Sequence, residues 1–94
     1  NFIRGTNEWC REHRHEKIVE QWKMLCSKLR GHYQYFGFPE NHRRLETVRW
    51  RVQRMWKRWL GRRSQKGVLT WQAYEQILAR FPLPRPKEYC YGLG

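Results

Sequence analysis

The sequence predicts an all-α fold: a small bundle of three to four helices followed by an extended, proline-containing C-terminal tail. Apolar residues recur at spacings of three and four along most of the chain, and no stretch alternates apolar and polar residues as a strand does. The 94 residues suffice for one small domain, and 6 Trp, 5 Tyr and 4 Phe supply large buried area. We expect a single domain over 1–94, with a helical core at about 7–81 and a tail at 82–94.

The first helix is predicted over residues 6–14, where Thr6 or Asn7 offers a side-chain oxygen that can cap the first turn. The charged stretch at 15–17 is expected to hold a kink or a turn.

The second helix is predicted over residues 17–37. One side of it carries apolar residues at the spacing of a buried helix face: Ile18, Trp22, Leu25, Leu29, Tyr33 and Phe36. Gly31 falls on the opposite side, where a glycine costs about 1 kcal/mol relative to alanine. We therefore expect Gly31 to mark either a break in the helix or a close approach by another backbone.

The third helix is predicted to start after a cap at Asn41 and to run to about Leu60. Its core side carries five apolar residues spaced 3-4-3-4: Leu45, Val48, Val52, Met55 and Trp59. At 100° per residue, Trp50 lies opposite this side among basic residues, and Trp56 lies beside the core. We expect both Trp56 and Trp59 to be core residues.

Thr70 is predicted to cap a fourth helix. The apolar side of that helix carries Trp71, Tyr74, Ile77, Leu78 and Phe81. The tail begins where prolines prevent the helix from continuing: Pro82, Pro84 and Pro86.

Most of the positive charge lies in one segment. Residues 43–66 hold ten Lys/Arg, three Trp and one acid, Glu46, so they carry +9 of the net charge of +12. A cluster of basic residues falls opposite the core side of the third helix: Arg43, Arg51, Arg54, Lys57 and Arg58. Like charges at this spacing destabilise a helix unless a polyanion neutralises them, so nucleic acid is the first candidate partner.

Other interpretations of this segment stay open. The basic side could be a solvated helix face, although such faces usually mix signs. It could bind an anionic membrane surface, although the apolar side is already committed to a core. Trp50 could stack on a base or a ribose, or it could be covered by a domain absent from this sequence.

The sequence offers little for catalysis. All eight acids are glutamate, whereas two-metal phosphoryl transfer depends on closely placed carboxylates, usually including aspartate. Cys10, His13 and His15 lie within reach of one another, but no second ligand pair follows at zinc-site spacing. We expect no catalytic residue, metal or cofactor in this sequence. The three widely spaced cysteines fit a reducing compartment, and no run of about 18 apolar residues could span a membrane.

Two stretches resemble a known family. LRGHYQYFG at 29–37 resembles the signature L-[KR]-G-[HW]-x-N-Y-[YF]-G of the maturase-specific region, also called domain X or the thumb, of group II intron-encoded reverse transcriptases. RRSQKGVLTWQAYEQIL at 62–78 resembles the family's R-R-S-Q-x-x-x-L-T-W-x-x-[FY] stretch, and the resemblance covers about 7–91. Gln34 and Phe36 stand where the family mostly has Asn and Tyr; the fold should tolerate both.

The resemblance implies a helical domain that packs beside the palm of a reverse transcriptase encoded by a mobile element. Such a domain binds intron RNA and template–primer, and so supports RNA splicing, reverse splicing, reverse transcription and retrotransposition. Combined with the charge pattern, it predicts an RNA-binding set of ten basic and two aromatic residues: Arg30, Tyr35, Arg43, Arg44, Trp50, Arg51, Arg54, Lys57, Arg58, Arg62, Arg63 and Lys66.

The family's fingers and palm, with their Mg²⁺-binding Y-x-D-D turn, are not in this sequence, which also begins without Met. We therefore expect a non-catalytic piece of a larger RNA-directed DNA polymerase, or a stand-alone relative, in the bacterial cytoplasm. The missing fingers and palm would be its protein partner. Two alternatives are a module of the same kind of protein that binds target DNA, and a structural bundle that docks on an acidic partner.

Overall fold

The structure is a computed structural model that describes residues 2–36, 42–62 and 69–86. These residues form four helices and no strand: α1 (Phe2–Glu12), α2 (Ile18–Phe36), α3 (His42–Arg62) and α4 (Trp71–Arg80). The predicted all-α bundle is thus confirmed. Within the same ranges, none of the helices has the length and apolar character needed to cross a membrane.

The core side predicted for α2 is the centre of the bundle. Leu25, Leu29 and Tyr33 are completely buried, and Ile18 and Trp22 pack against them at the edge of the core. The side chain of Phe36 lies outside the described part of the structure.

The core side of α3 also follows the prediction, with one shift. Leu45 and Val52 are buried, whereas Val48, Met55 and Trp59 are partly buried. The residue at the centre of the core is Trp56, which has no exposed surface. Helical spacing placed it beside the core side, and it was predicted to be a core residue. The predicted cap, Asn41, lies outside the described residues.

A buried glutamine ties the α1–α2 turn to α3. The Gln21 side-chain amide donates to the carbonyl oxygens of His13 (2.8 Å) and Glu16 (3.3 Å), and its Oε1 accepts from Trp56 Nε1 at 2.9 Å. Burying an amide is favourable only when its hydrogen bonds are replaced. Here both ends of the amide are bonded, so Gln21 holds three segments in register.

The start of α1 differs from the prediction. The helix begins at Phe2 rather than at residue 6, because Phe2 and Ile3 pack against the core and stabilise an additional turn. Thr6, one of the two predicted caps, therefore lies inside the helix and is buried. The packing of an apolar helix face contributes more to helix stability than a capping residue does. The turn that follows occupies 13–16, close to the expected position.

Gly31 corresponds to neither of its predicted roles. Helix α2 continues through it without a break. Apart from the adjacent residues and the local backbone of α2, no described atom lies within 4 Å of a Cβ atom placed on Gly31, so no other described segment approaches it closely.

The predicted cap of α4 is confirmed, but one of its apolar residues is placed differently. The Thr70 hydroxyl accepts from the Ala73 amide at 3.1 Å, as a capping residue does. Tyr74 is completely buried. Trp71, which was predicted on the same apolar side, is instead half exposed, because its indole turns towards Lys57 of α3.

Residues 81–86, which we call the strap, run back across α2 and α3. Leu83, Pro84 and Pro86 are buried. Three side chains donate to successive carbonyl oxygens of the strap: Trp22 Nε1 to Pro82 at 2.8 Å, Arg49 Nε to Leu83 at 3.2 Å, and Tyr33 Oη to Pro84 at 2.8 Å. The prolines end α4 as predicted, and the strap then covers one side of the core. Residues 87–94 of the predicted tail lie outside the described part.

Candidate nucleic-acid interface

The exposed side of α3 forms the floor of an open groove of about 1000 Å³. One wall is the first part of α1, and the other is the start of α4. We call this the basic groove. Its lining residues are Ile3, Arg4, Asn7, Trp50, Arg51, Arg54, Met55, Lys57, Arg58, Gly61, Arg62, Leu69 and Trp71.

Helix α1 is fixed against α3 by polar and apolar contacts. Asn7 Oδ1 accepts from Trp59 Nε1 at 2.8 Å, and the neighbouring Thr6 is buried. These contacts orient α1 so that Arg4 lines the groove opposite the basic residues of α3. The groove is therefore built by tertiary packing, and its charge does not come from α3 alone.

The groove is charged with a single sign. Six of its lining residues are cationic and none of the described lining residues is acidic: Arg4, Arg51, Arg54, Lys57, Arg58 and Arg62. The ion pairs found in the described ranges join His13 to Glu16 and Lys23 to Glu20, both away from the groove. A concave surface lined by one sign of charge focuses its field and attracts counter-ions.

Two half-exposed tryptophans lie in the basic groove, each against a cation. The Arg54 guanidinium lies 4.7 Å from the centre of the Trp50 ring, and Lys57 Nζ lies 4.8 Å from the centre of the Trp71 ring. Cation–π contacts of this length orient both partners. They place an aromatic surface beside a positive charge at two points of the groove.

A second hollow of about 840 Å³ continues from the groove, with which it shares Ile3 and Arg51. The His32 ring stacks on Phe2 with 4.2 Å between ring centres, and burial lowers the pKa of His32. The cationic character of the hollow therefore comes mainly from its arginines. Its lining residues are Phe2, Ile3, His32, Arg43, Arg44, Thr47, Val48 and Arg51.

The structure brings most of the predicted RNA-binding residues to one side of the bundle. Those that line the basic groove are Trp50, Arg51, Arg54, Lys57, Arg58 and Arg62, and those that line the hollow are Arg43, Arg44 and Arg51. Arg30 and Tyr35 are exposed on α2 and line neither. Arg63 and Lys66 lie outside the described residues.

Among the charged and aromatic residues that line the groove, sequence reasoning missed two. Arg4 precedes the predicted start of α1, and nothing in the local sequence places it opposite α3. Trp71 was assigned to the core because it continues the apolar spacing of α4. Its position as the first residue of α4 is the signal that could have corrected this assignment, since the first helical turn often lies at the edge of a bundle.

The nucleophilic side chains of the described core are held in their neutral forms. Burial raises the pKa of the Cys10 thiol to about 11, and it also raises the pKa of Cys26 and of Tyr74. Both thiols are free and buried, while Cys90 lies outside the described residues. Across the described ranges, no three His, Cys, Asp or Glu side chains are placed to hold a metal ion.

Comparison with protein-family models, with curated protein sequences and with solved structures gives no significant match. The resemblance of 29–37 and 62–78 to the maturase-specific region therefore stays a prediction from the sequence.

Proposed function

We propose that this chain binds structured RNA through the basic groove, as the maturase-specific or thumb domain of a group II intron-encoded reverse transcriptase. The observation that carries the proposal is the groove itself, in which six cations and no described acid line one concave surface. Its role would be to hold intron RNA and template–primer in support of splicing, reverse splicing and reverse transcription. Polymerase chemistry, with its Mg²⁺, would belong to the fingers and palm.

The charge of α3 supports a polyanionic partner. Arg54, Arg58 and Arg62 follow one another at intervals of four residues, and Arg51 lies three residues before Arg54. Like charges at these spacings destabilise a helix by about 0.2–0.5 kcal/mol per pair. Phosphate groups would reverse the sign of this contribution and would also release condensed counterions.

RNA is favoured over DNA by the family resemblance, and the form of the site is compatible with RNA. The groove and the hollow together line α3 from Arg43 to Arg62, which corresponds to about 28 Å along the helix axis. A long, open surface of guanidinium groups suits recognition through phosphates and shape, the principal way in which proteins bind structured RNA.

The test is charge reversal in the groove. Replacing Arg51, Arg54 and Arg58 by glutamate should abolish tight binding of a structured RNA at 100 mM salt. Where residual binding can be measured, the slope of log affinity against log salt should decrease by about 2–3, because three phosphate contacts are lost. Both quantities can be measured by fluorescence anisotropy over a salt series.

A matched variant controls for net charge. Replacing Lys17, Lys23 and Arg85 by glutamate also reverses three exposed cations and changes the net charge by the same 6, from +12 to +6. This variant should retain most of the affinity. Equal losses in the two variants would show that the groove has no special role. Stronger competition by duplex DNA than by structured RNA at equal salt would favour the DNA-target module instead.

A further inference from the structure

The two indoles of the basic groove are the most exposed tryptophans among the described residues. Trp56, Tyr33 and Tyr74 have no exposed surface, whereas Trp50 is 53% exposed and Trp71 is 51% exposed. A single exposed tryptophan is common and needs no explanation. Two in one groove, each with a cation against its ring, form a repeated arrangement.

The arrangement follows one line along α3. Trp50, Arg54 and Lys57 are spaced by four and three residues, so their side chains project from the same face of the helix. The Trp71 indole reaches Lys57 from the start of α4. The order along the groove is therefore indole, guanidinium, ammonium, indole, which places two charges suited to phosphates between two surfaces suited to bases.

We propose that the basic groove binds unpaired nucleotides of RNA by stacking their bases on Trp50 and Trp71, with Arg54 and Lys57 at the neighbouring phosphates. This inference rests on the proposed RNA-binding function and specifies the part of the RNA that occupies the groove. Bases inside a continuous duplex already stack on one another, whereas an unpaired base has a free face for an aromatic side chain.

The charge of the groove argues against an apolar or neutral protein segment as the occupant. A segment that covered both indoles would also bury part of a surface with six cations and no described acid. Removing unpaired charges from water costs several kcal/mol per ion. A nucleic acid strand supplies phosphates for the cations and bases for the indoles in the same ligand.

The spacing sets a minimum ligand length. From Trp50 to Lys57 there are seven residues, or about 10 Å along the helix axis. Stacked bases of one strand are about 3.4 Å apart, so this length corresponds to about three base steps. A strand that reaches both should have about four nucleotides or more, and a dinucleotide should bind much more weakly.

The experiment compares RNA ligands and matched variants by fluorescence anisotropy. The ligands are an unpaired 8-nucleotide RNA, the same strand with abasic sites, a continuous RNA duplex, and heparin. The proteins are the unaltered chain, Trp50→Ala, Trp71→Ala, the double variant, and Met24→Ala as a control. Met24 is also exposed but lies on α2, away from the groove. Helical content and thermal midpoint show that each variant is folded.

The unaltered chain should prefer the unpaired strand to its abasic counterpart. Each groove tryptophan should contribute about 5-fold to 100-fold to that affinity, and neither substitution should alter binding to the abasic strand or to heparin. Met24→Ala should behave like the unaltered chain. The abasic comparison requires no substitution and so tests the idea even if one variant fails to fold.

Two adverse outcomes are distinguishable. If the unpaired and abasic strands bind equally and the tryptophan variants lose nothing, while charge reversal at Arg51, Arg54 and Arg58 abolishes binding, stacking is wrong and RNA binding by the groove stands. If charge reversal also leaves the affinity unchanged, both proposals are wrong. A preference for the continuous duplex over the unpaired strand would likewise overturn the stacking proposal.

Discussion

The strap side and the groove side of the bundle use the same residue types in opposite ways. On the strap side, Trp22, Tyr33 and Arg49 donate to backbone carbonyl oxygens of residues 82–84. On the groove side, Trp50 and Trp71 leave half of their surface in water, and no acid of the described chain lines the groove with the cations. Tryptophan and arginine content therefore does not by itself identify an interface. What distinguishes the groove is that the described chain leaves these residues uncovered.

The largest expected difference between the two sides is in stability. Leu83→Ala should reduce the free energy of unfolding by about 2–5 kcal/mol, because Leu83 is 2% exposed and its removal leaves a cavity beneath the strap. A small domain has about 5–15 kcal/mol in total, so the variant should unfold at a much lower urea concentration.

Trp71→Ala is the matched substitution on the groove side. It removes a larger side chain, yet it should cost only about 1 kcal/mol, because the indole is half exposed and its ring interactions are with Lys57 and Tyr74. If Trp71→Ala destabilised the protein as much as Leu83→Ala, the groove indole would be a structural residue and the contrast between the sides would be lost.

A second prediction concerns alkaline pH, to which the buried side of the bundle should respond. Burial raises the pKa of Cys10 from its ordinary value of 9.0 to about 11. Between these values the unfolded chain releases the proton while the folded chain keeps it, so unfolding becomes easier as the pH rises. The contribution of the neutral Cys10 thiol to the free energy of unfolding is fully present below pH 9, and about 2–3 kcal/mol of it should be lost by pH 11.

Urea unfolding at a series of pH values from 8 to 11 measures this loss. Cys26 and Tyr74, whose pKa values are also raised by burial, add to it with the same sign. Cys10→Ala should therefore reduce the pH dependence without abolishing it. An unchanged slope in this variant would mean that Cys10 is accessible to water in the folded state.

The fold was largely predictable because apolar spacing records which side of a helix is buried. That spacing identified Leu25, Leu29 and Tyr33 in α2, and it separated the core side of α3 from its basic side. It could not predict Gln21, whose burial depends on hydrogen bonds to the α1–α2 turn and to α3. Nor could it predict the position of the strap, since a run of alternating prolines has no helical periodicity. That position depends on hydrogen-bond donors from α2 and α3.

The groove was predictable only in part, for a related reason. Helical geometry places Trp50, Arg54 and Arg58 on one side of α3, and this needs no tertiary information. The walls of the groove come from other elements. Arg4 and Trp71 reach it only because α1 begins earlier than its cap signal suggests and because α4 starts at the edge of the bundle. Residues brought together by packing leave no local pattern in the sequence.

The smallest expected effects come from the same substitution, arginine to glutamine, at two positions of α3. Arg58→Gln should raise the free energy of unfolding by about 0.5–1 kcal/mol at low salt, because Arg58 lies four residues from both Arg54 and Arg62 and two like-charge pairs are removed. The gain should shrink as salt is added, since the screening length falls from about 30 Å at 0.01 M to about 3 Å at 1 M. Urea unfolding at these two salt concentrations measures it.

Arg49→Gln is the counterpart on the strap side, and its effect should have the opposite sign. The substitution removes the hydrogen bond from Arg49 Nε to the Leu83 carbonyl, at a cost of about 1 kcal/mol that depends little on salt because the bond is partly buried. A lower free energy of unfolding in Arg49→Gln and a higher one in Arg58→Gln would show that only the groove side of α3 carries destabilising charge repulsion. Such repulsion is expected of a surface that binds a polyanion. If both variants lost stability in the same way, contacts within the chain would already hold the groove cations. The strap side and the groove side would then be equivalent, and the charge argument for an external partner would fail.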